Sequence, residues 1–218
     1  NKVDVRNIPI SRVGIKDIKY PFKISDKSGE IQSTIGTFTM SVGLPHDVKG
    51  THMSRFVKIL EDQEDCISIE NFNDLVKNTT NILSSDSAYI SVDFIYFKKK
   101  VAPVSRVESL LDYSINFTCE VKNNVVYKYL KVIVPVTSLC PCSKNISDYG
   151  AHNQRSHISA HIRTEETVWI DDVIEMLEDQ ASCQIYGLLK RPDEKYVTEQ
   201  AYDNPKSVSY THLTLPTI

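Results

Sequence analysis

Two runs rich in Val, Ile, Tyr and Phe, Leu110 to Val121 and Val125 to Val136, are separated only by Lys122-Asn123-Asn124. Such runs favour extended backbone, and asparagine tolerates the conformations of a tight turn, so the pair reads as a long β-hairpin. That hairpin commits the chain to an antiparallel sheet. A third long run, Ala88 to Lys99, precedes it. Thr37 to Val42 alternates apolar and polar residues with period two and ends at Gly43 and Pro45, and Ser156 to Thr164 forms a further strand candidate.

Helical spacing appears between these strands. From Thr51 or His52 to about Gln63, Phe56, Ile59 and Leu60 fall on one face, and Phe72, Leu75, Val76 and Ile82 mark a second helix. An amphipathic helix is expected from Trp169 to about Glu178, and another from Pro192 to Tyr202 with proline in its first turn. Strand, helix, helix, a group of antiparallel strands, then helices is the order of an α+β fold, with helices layered on one face of the sheet. Residues 1 to 34 mix charge with Gly, Pro and Ser and read as an extended N-terminal arm with room for one strand. The folded domain is expected over 35–206.

The 218 residues include 41% hydrophobic and 24% charged side chains, enough to bury a substantial core. The net charge of −3 supplies no basic face for nucleic acid, so an anionic ligand has to be held by local basic residues. No apolar run approaches the roughly 20 residues of a membrane helix. No signal peptide is apparent, and five cysteines, an odd number, argue against a disulfide framework. A cytoplasmic protein with reduced thiols is the expectation, without nucleic-acid or membrane partners. The chain starts at Asn1 rather than Met, and an incomplete amino terminus is expected.

Against that background Cys140-Pro141-Cys142, followed by His152 and His157, stands out. Pro141, Ser143, Ser147 and Gly150 argue against a regular helix here. Cys-x-Cys is too tight for an unstrained disulfide in most backbones, so metal chelation is favoured over a redox pair, and for Cys140 a metal-binding or nucleophilic role weighs evenly against that of a small buried apolar residue. A structural zinc site would want four protein ligands, whereas three ligands and an open position make a catalytic one. His152, beside Gly150, is the better ligand candidate; His157 and His161 alternate along a strand. Cys66, Cys119 and Cys183 read as buried small apolar residues.

Two further clusters carry chemistry. Lys49-Gly50-Thr51-His52-Met53-Ser54-Arg55 is a basic, hydroxyl-rich turn opening a helix, where backbone amides suit an anion and where a plain capped helix is the simpler reading. No P-loop or dinucleotide-binding glycine pattern accompanies it. In Leu189 to Gln200, Glu194 and Glu199 are five residues apart, so a helix turns them to different sides.

Taken together, PVTSLCPCSKNISDYGAHNQRS, KGTHMSRF and LLKRPDEKYVTEQAYDNPK closely resemble the GTP cyclohydrolase type IB family, over about Asp4 to Lys206. The resemblance implies that Cys140, His152 and Glu194 hold a divalent metal, with Cys142 in an adjoining or alternative role. It implies a tunnelling fold whose antiparallel sheets join into an oligomeric barrel, a homotetramer with active sites at subunit interfaces. The reaction it implies turns GTP and water into formate and 7,8-dihydroneopterin triphosphate, the first step of folate and pterin synthesis. Cys140 would be catalytic through a metal-activated water, and His157 a proton-transfer partner. His52, Ser54, Arg55 and Arg155 would hold the triphosphate. Zinc, manganese and iron all suit a mixed sulfur, nitrogen and oxygen ligand set. A nitrile reductase of the same fold, with a cysteine nucleophile and NADPH, is the nearest rival. A non-catalytic metal-binding or nucleotide-binding oligomer is the rival from another class.

The last twelve positions, Ser207 to Ile218, break the helical pattern expected after Asn204-Pro205-Lys206. VSYTHLTLPT resembles one reading frame of a transposon-end sequencing adapter, and residues 207–218 are expected to be a non-native tail on a truncated domain. The acidic residue that the family places shortly after Asn-Pro-Lys to hold the guanine edge would then be missing, since Ser209 carries no carboxylate. Slow or absent GTP turnover is the expectation for such a chain.

Overall fold

The structure, a computed structural model, describes residues 8–48, 50–62, 66–68 and 71–206. Lys49 and the proposed tail 207–218 lie outside the described residues. The described residues form an α+β fold: a seven-stranded open antiparallel sheet with strand order β1-β2-β3-β4-β5-β6, and a short β7 paired to β5. No helix among them is long and apolar enough to cross a membrane.

The chain divides into two compact units, and β3 to β6 contribute to both. The first comprises residues 1–96, 114–131 and 160–169. It opens with β1 (Ile10–Ser25) and β2 (Ile31–Leu44), an antiparallel pair. The segment read as an extended arm thus carries a full 16-residue strand and the start of the next. β1 shifts register twice, and Gly14 explains how it lies so close to its neighbour: a Cβ there would stand 1.9 Å from the Met40 carbonyl oxygen. β2 also pairs antiparallel with β3 (Ser87–Val101). α1 (Met53–Glu61) and α2 (Phe72–Leu83) follow the expected spacing, burying Phe56, Ile59 and Leu60, and Phe72, Leu75 and Val76.

Period two gives the sheet of this unit two chemically different sides. On one, Phe38, Met40, Ile90, Val92, Phe94 and Phe117 are buried, with Phe94 and Phe117 edge-to-face at 5.3 Å and Phe72 of α2 5.7 Å from Phe117. On the other, Ser91 bonds Thr118 at 2.9 Å, while Asn116 donates to Ser91 and Asp93. The hairpin of β4 (Glu108–Lys122) and β5 (Val125–Leu139) turns at Asn123 and Asn124, with φ of 50° and 63°. These left-handed values match the right-handed twist of the strands, and asparagine adopts them at little cost.

The second unit comprises, of the described residues, 97–113, 132–159 and 170–206. Here α4 (Ile170–Asp179) buries Val173, Ile174 and Leu177, and β7 (Cys183–Gln184) pairs with Val136 and Thr137 of β5. β6 (Asn153–Thr164) and α5 (Arg191–Asp203) complete the chain. Between β5 and β6 the turn-rich run forms a six-residue helix, α3 (Pro141–Ile146), contrary to the expectation that Pro141 and Ser143 would forbid one. Proline stands in its first turn, where its missing N–H would have had no partner and its fixed φ already suits a helix.

Candidate metal and catalytic site

Cys140 ends β5 and caps α3 from an extended conformation (φ −75°, ψ 114°). Its amide donates to the His152 carbonyl at 3.3 Å, so the two ends of the intervening loop are tied to each other. Ser143 doubles that tie, its hydroxyl donating to the Cys140 carbonyl at 3.1 Å and accepting from the His152 amide at 3.3 Å. Nothing in the sequence pattern singled out Ser143; its position three residues into a proline-started helix is the one signal available. The Ser143 amide, with smaller help from the Ser143 hydroxyl and Cys142, outweighs burial and holds the Cys140 thiol below the ordinary cysteine value. Cys142 is exposed on α3.

The strand leading to Cys140 is anchored by Ser182, which is fully buried. Its hydroxyl accepts from the Leu139 amide at 3.1 Å and from the Lys206 amide at 2.9 Å. Leu139, Cys183 and Ala201 form a buried cluster, with Ala151, Val197 and Tyr202 packed on it. Val197 and Ala201 are four apart, and Glu194 lies three residues before Val197 on the same helical stripe. α5 thus packs Val197, Ala201 and Tyr202 on Leu139 and Ala151, the immediate neighbours of Cys140 and His152, while Glu194 is exposed. Glu199, on another side, pairs with Lys195 at 3.7 Å.

Glu194 itself accepts from Arg191 at 3.0 Å, in an exposed pair. Among the described residues no group of three or more His, Cys, Asp or Glu side chains lies close enough to hold a metal ion. The chain thus brings Cys140 and His152 together through their backbones and leaves the Glu194 carboxylate on its arginine. The donor chemistry still fits a divalent metal: a thiol held below the ordinary cysteine value, an exposed imidazole, and a carboxylate in an exposed ion pair of the weak kind.

The α5 amino terminus is rigidly seated. Asp193 is fully buried and accepts from the Val104 and Ser105 amides at 2.8 Å each, the Ser105 hydroxyl at 2.6 Å and the Lys190 amide at 2.8 Å. Burial alone would raise its pKa, but these donors outweigh it and hold the carboxyl well below the usual range.

His157 lies on β6 at the wall of a cavity of about 210 Å³, shared with Val136, Ile158, Gln180 and Lys206. Arg155 and His157 alternate on the exposed side of β6. His52 caps α1 without a side-chain hydrogen bond, Ser54 and Arg55 are exposed in its first turn, and Arg55 donates to the Ile82 carbonyl at 3.4 Å. The His161 ring lies 5.7 Å from that of Tyr129, tilted by 42°. Cys119 and Cys183 are buried as expected, and Cys66 is partly so.

The backbones of Cys140 and His152 are thus tied together just beyond the end of a sheet strand. A family model described as type I GTP cyclohydrolase folE2 matches residues 1–209, and the chain belongs to that family. It is 54% identical over 207 residues to a GTP cyclohydrolase FolE2 of Nitrosococcus oceani, covering 95% of this chain and 78% of that protein. A FolE2 of Nitrosomonas eutropha is 57% identical over 206 residues, covering 94% and 77% respectively. One of Neisseria meningitidis is 52% identical over 205 residues, covering 94% of this chain and 68% of that protein.

Proposed function

We propose that this chain is a GTP cyclohydrolase that converts GTP and water to formate and 7,8-dihydroneopterin triphosphate, opening folate synthesis in the cytoplasm. The observation that carries the reading is the Cys140–His152 tie in a chain of this family. Cys140, His152 and Glu194 would hold a divalent metal through thiolate, imidazole and carboxylate. Zinc, manganese and iron all suit these donors. When bound, the ion supplies Lewis-acid activation of water, lowering its pKa toward about 7.

The remaining work falls to side chains. Opening the purine imidazole ring at carbon 8 and then releasing formate each require a proton taken from water and one delivered to nitrogen. His157, on the wall of the cavity beside the end of β5, is the partner for these transfers, because an imidazole ring carries both a donor and an acceptor nitrogen. His52, Ser54 and Arg55 at the start of α1, with Arg155 on β6, hold the triphosphate through amides, hydroxyl and guanidinium groups. The active form is a homotetramer of the tunnelling fold, with active sites at subunit interfaces.

The test is formate release from GTP labelled at carbon 8, with no reductant present, before and after treatment with a chelator. Slow release that the chelator abolishes and zinc, manganese or iron restores is the expected result. No release from metal-loaded protein in which residues 207–218 are replaced by the corresponding segment of a FolE2 relative would overturn the reading.

A further inference from the structure

Tyr202, on the last turn of α5, bonds twice to one residue 51 positions away. Its hydroxyl accepts from the Ala151 amide at 3.2 Å and donates to the Ala151 carbonyl at 3.1 Å. Ala151 belongs to no strand or helix, and the phenol serves it as a neighbouring strand would, satisfying both backbone groups. The main-chain carbonyl of Tyr202 accepts from the Lys144 ammonium, which also lies 5.9 Å from the Tyr202 ring centroid. One residue of α5 therefore grips both ends of the segment from Lys144 to Ala151. Gly150 permits the grip: its φ is +109°, and a Cβ there would come within 2.7 Å of the Tyr202 hydroxyl oxygen.

We propose that Tyr202 is a positioning residue for the metal site, fixing His152 relative to Cys140 by holding the residue immediately before His152. This rests on the metal reading given above. Ala151 stands between a glycine with wide backbone freedom and the proposed ligand. The hydroxyl removes that freedom at the point where it would displace the imidazole. The arrangement works through the backbone rather than through the imidazole nitrogen, but its effect belongs with that of other outer groups that orient metal ligands, whose loss weakens binding about 10–100-fold.

Tyr202→Phe deletes only the oxygen and keeps the ring on its packing surface. The 218-residue variant, freed of metal, would be titrated with Co²⁺ against a chromophoric chelator, alongside the parent and Cys140→Ala. Cobalt–thiolate absorption and thermal unfolding of the metal-free proteins would be recorded. The parent is expected to show the thiolate band, and Cys140→Ala to lose it. Tyr202→Phe is expected to bind Co²⁺ about tenfold more weakly with an altered visible spectrum, while unfolding near the parent's temperature. Gly150→Ala reaches the same oxygen from the loop side, leaves α5 intact, and is expected to weaken binding in the same direction, which serves if Tyr202→Phe fails to fold. Parent-like affinity and spectrum in the folded Tyr202 and Gly150 variants, with binding still lost in Cys140→Ala, would overturn the positioning role alone. A parent without Co²⁺ binding, or a Cys140→Ala that binds as the parent does, would overturn the metal reading and the positioning role with it.

Discussion

The Cys140 amide and the His152 carbonyl are 3.3 Å apart in a hydrogen bond that closes the loop between the proposed ligands. The bond is made by the backbone, so Cys140→Ala removes the thiol and leaves the loop closed. Formate release is expected to fall to background while the protein stays folded. Cys183→Ala, which alters a buried thiol beside Gln200, is expected to turn over near the parent's rate. Parent-like rates in both variants would refute the assignment of Cys140.

Arg55→Ala is expected to raise KM for GTP with little change in kcat, since a triphosphate contact is made in the ground and transition states alike. The bond from Arg55 to the Ile82 carbonyl adds a stability loss of about 1 kcal/mol or less. An unchanged KM with impaired turnover would give Arg55 a chemical role instead.

Stability in the second unit depends on a buried charge cluster. The Lys100 ammonium donates to Glu178 at 2.6 Å and to Gln184 at 2.8 Å, and the Tyr113 hydroxyl donates to the other Glu178 oxygen at 2.8 Å. Glu178→Ala would leave the Lys100 ammonium buried without its carboxylate and is expected to cost about 3–5 kcal/mol in denaturant unfolding. A loss under about 1 kcal/mol would mean that water replaces the carboxylate there.

The thiols are expected to separate by reactivity. Burial pushes Cys119 up to about 12 and Cys183 up to about 11, so at pH 8 roughly one molecule in a thousand or fewer carries either thiolate. Cys140, lowered by its Ser143 and Cys142 neighbours, and the exposed Cys142 should react first with a disulfide reagent in metal-free protein. Raising the pH from 7 to 9 should speed any reaction at Cys183 while its thiolate fraction climbs, and Cys140 should respond less. Equal native-state rates at Cys119 and Cys140 would contradict this ordering.

Much of the fold was legible because its causes are local. Alternation in β3 to β5, the asparagine turn at 123–124, and the 3.6-residue spacing of Phe56, Ile59 and Leu60 each act over a few residues, and the structure places strands and helices there. The α3 helix forms where composition argues against one, because proline acts by position and in a first turn favours a helix. The chemical types at the candidate site, a cysteine pair and a histidine a dozen residues on, were likewise readable in order along the chain. Which groups hold them was not. Ser182 under Leu139, Asp193 on Val104 and Ser105, and Tyr202 on Ala151 join segments tens of residues apart. Those contacts depend on how the packed layers bring distant backbone polar groups within reach of one another. No local pattern encodes that distance; burial makes the bonds necessary, and only the tertiary fold decides which side chains make them.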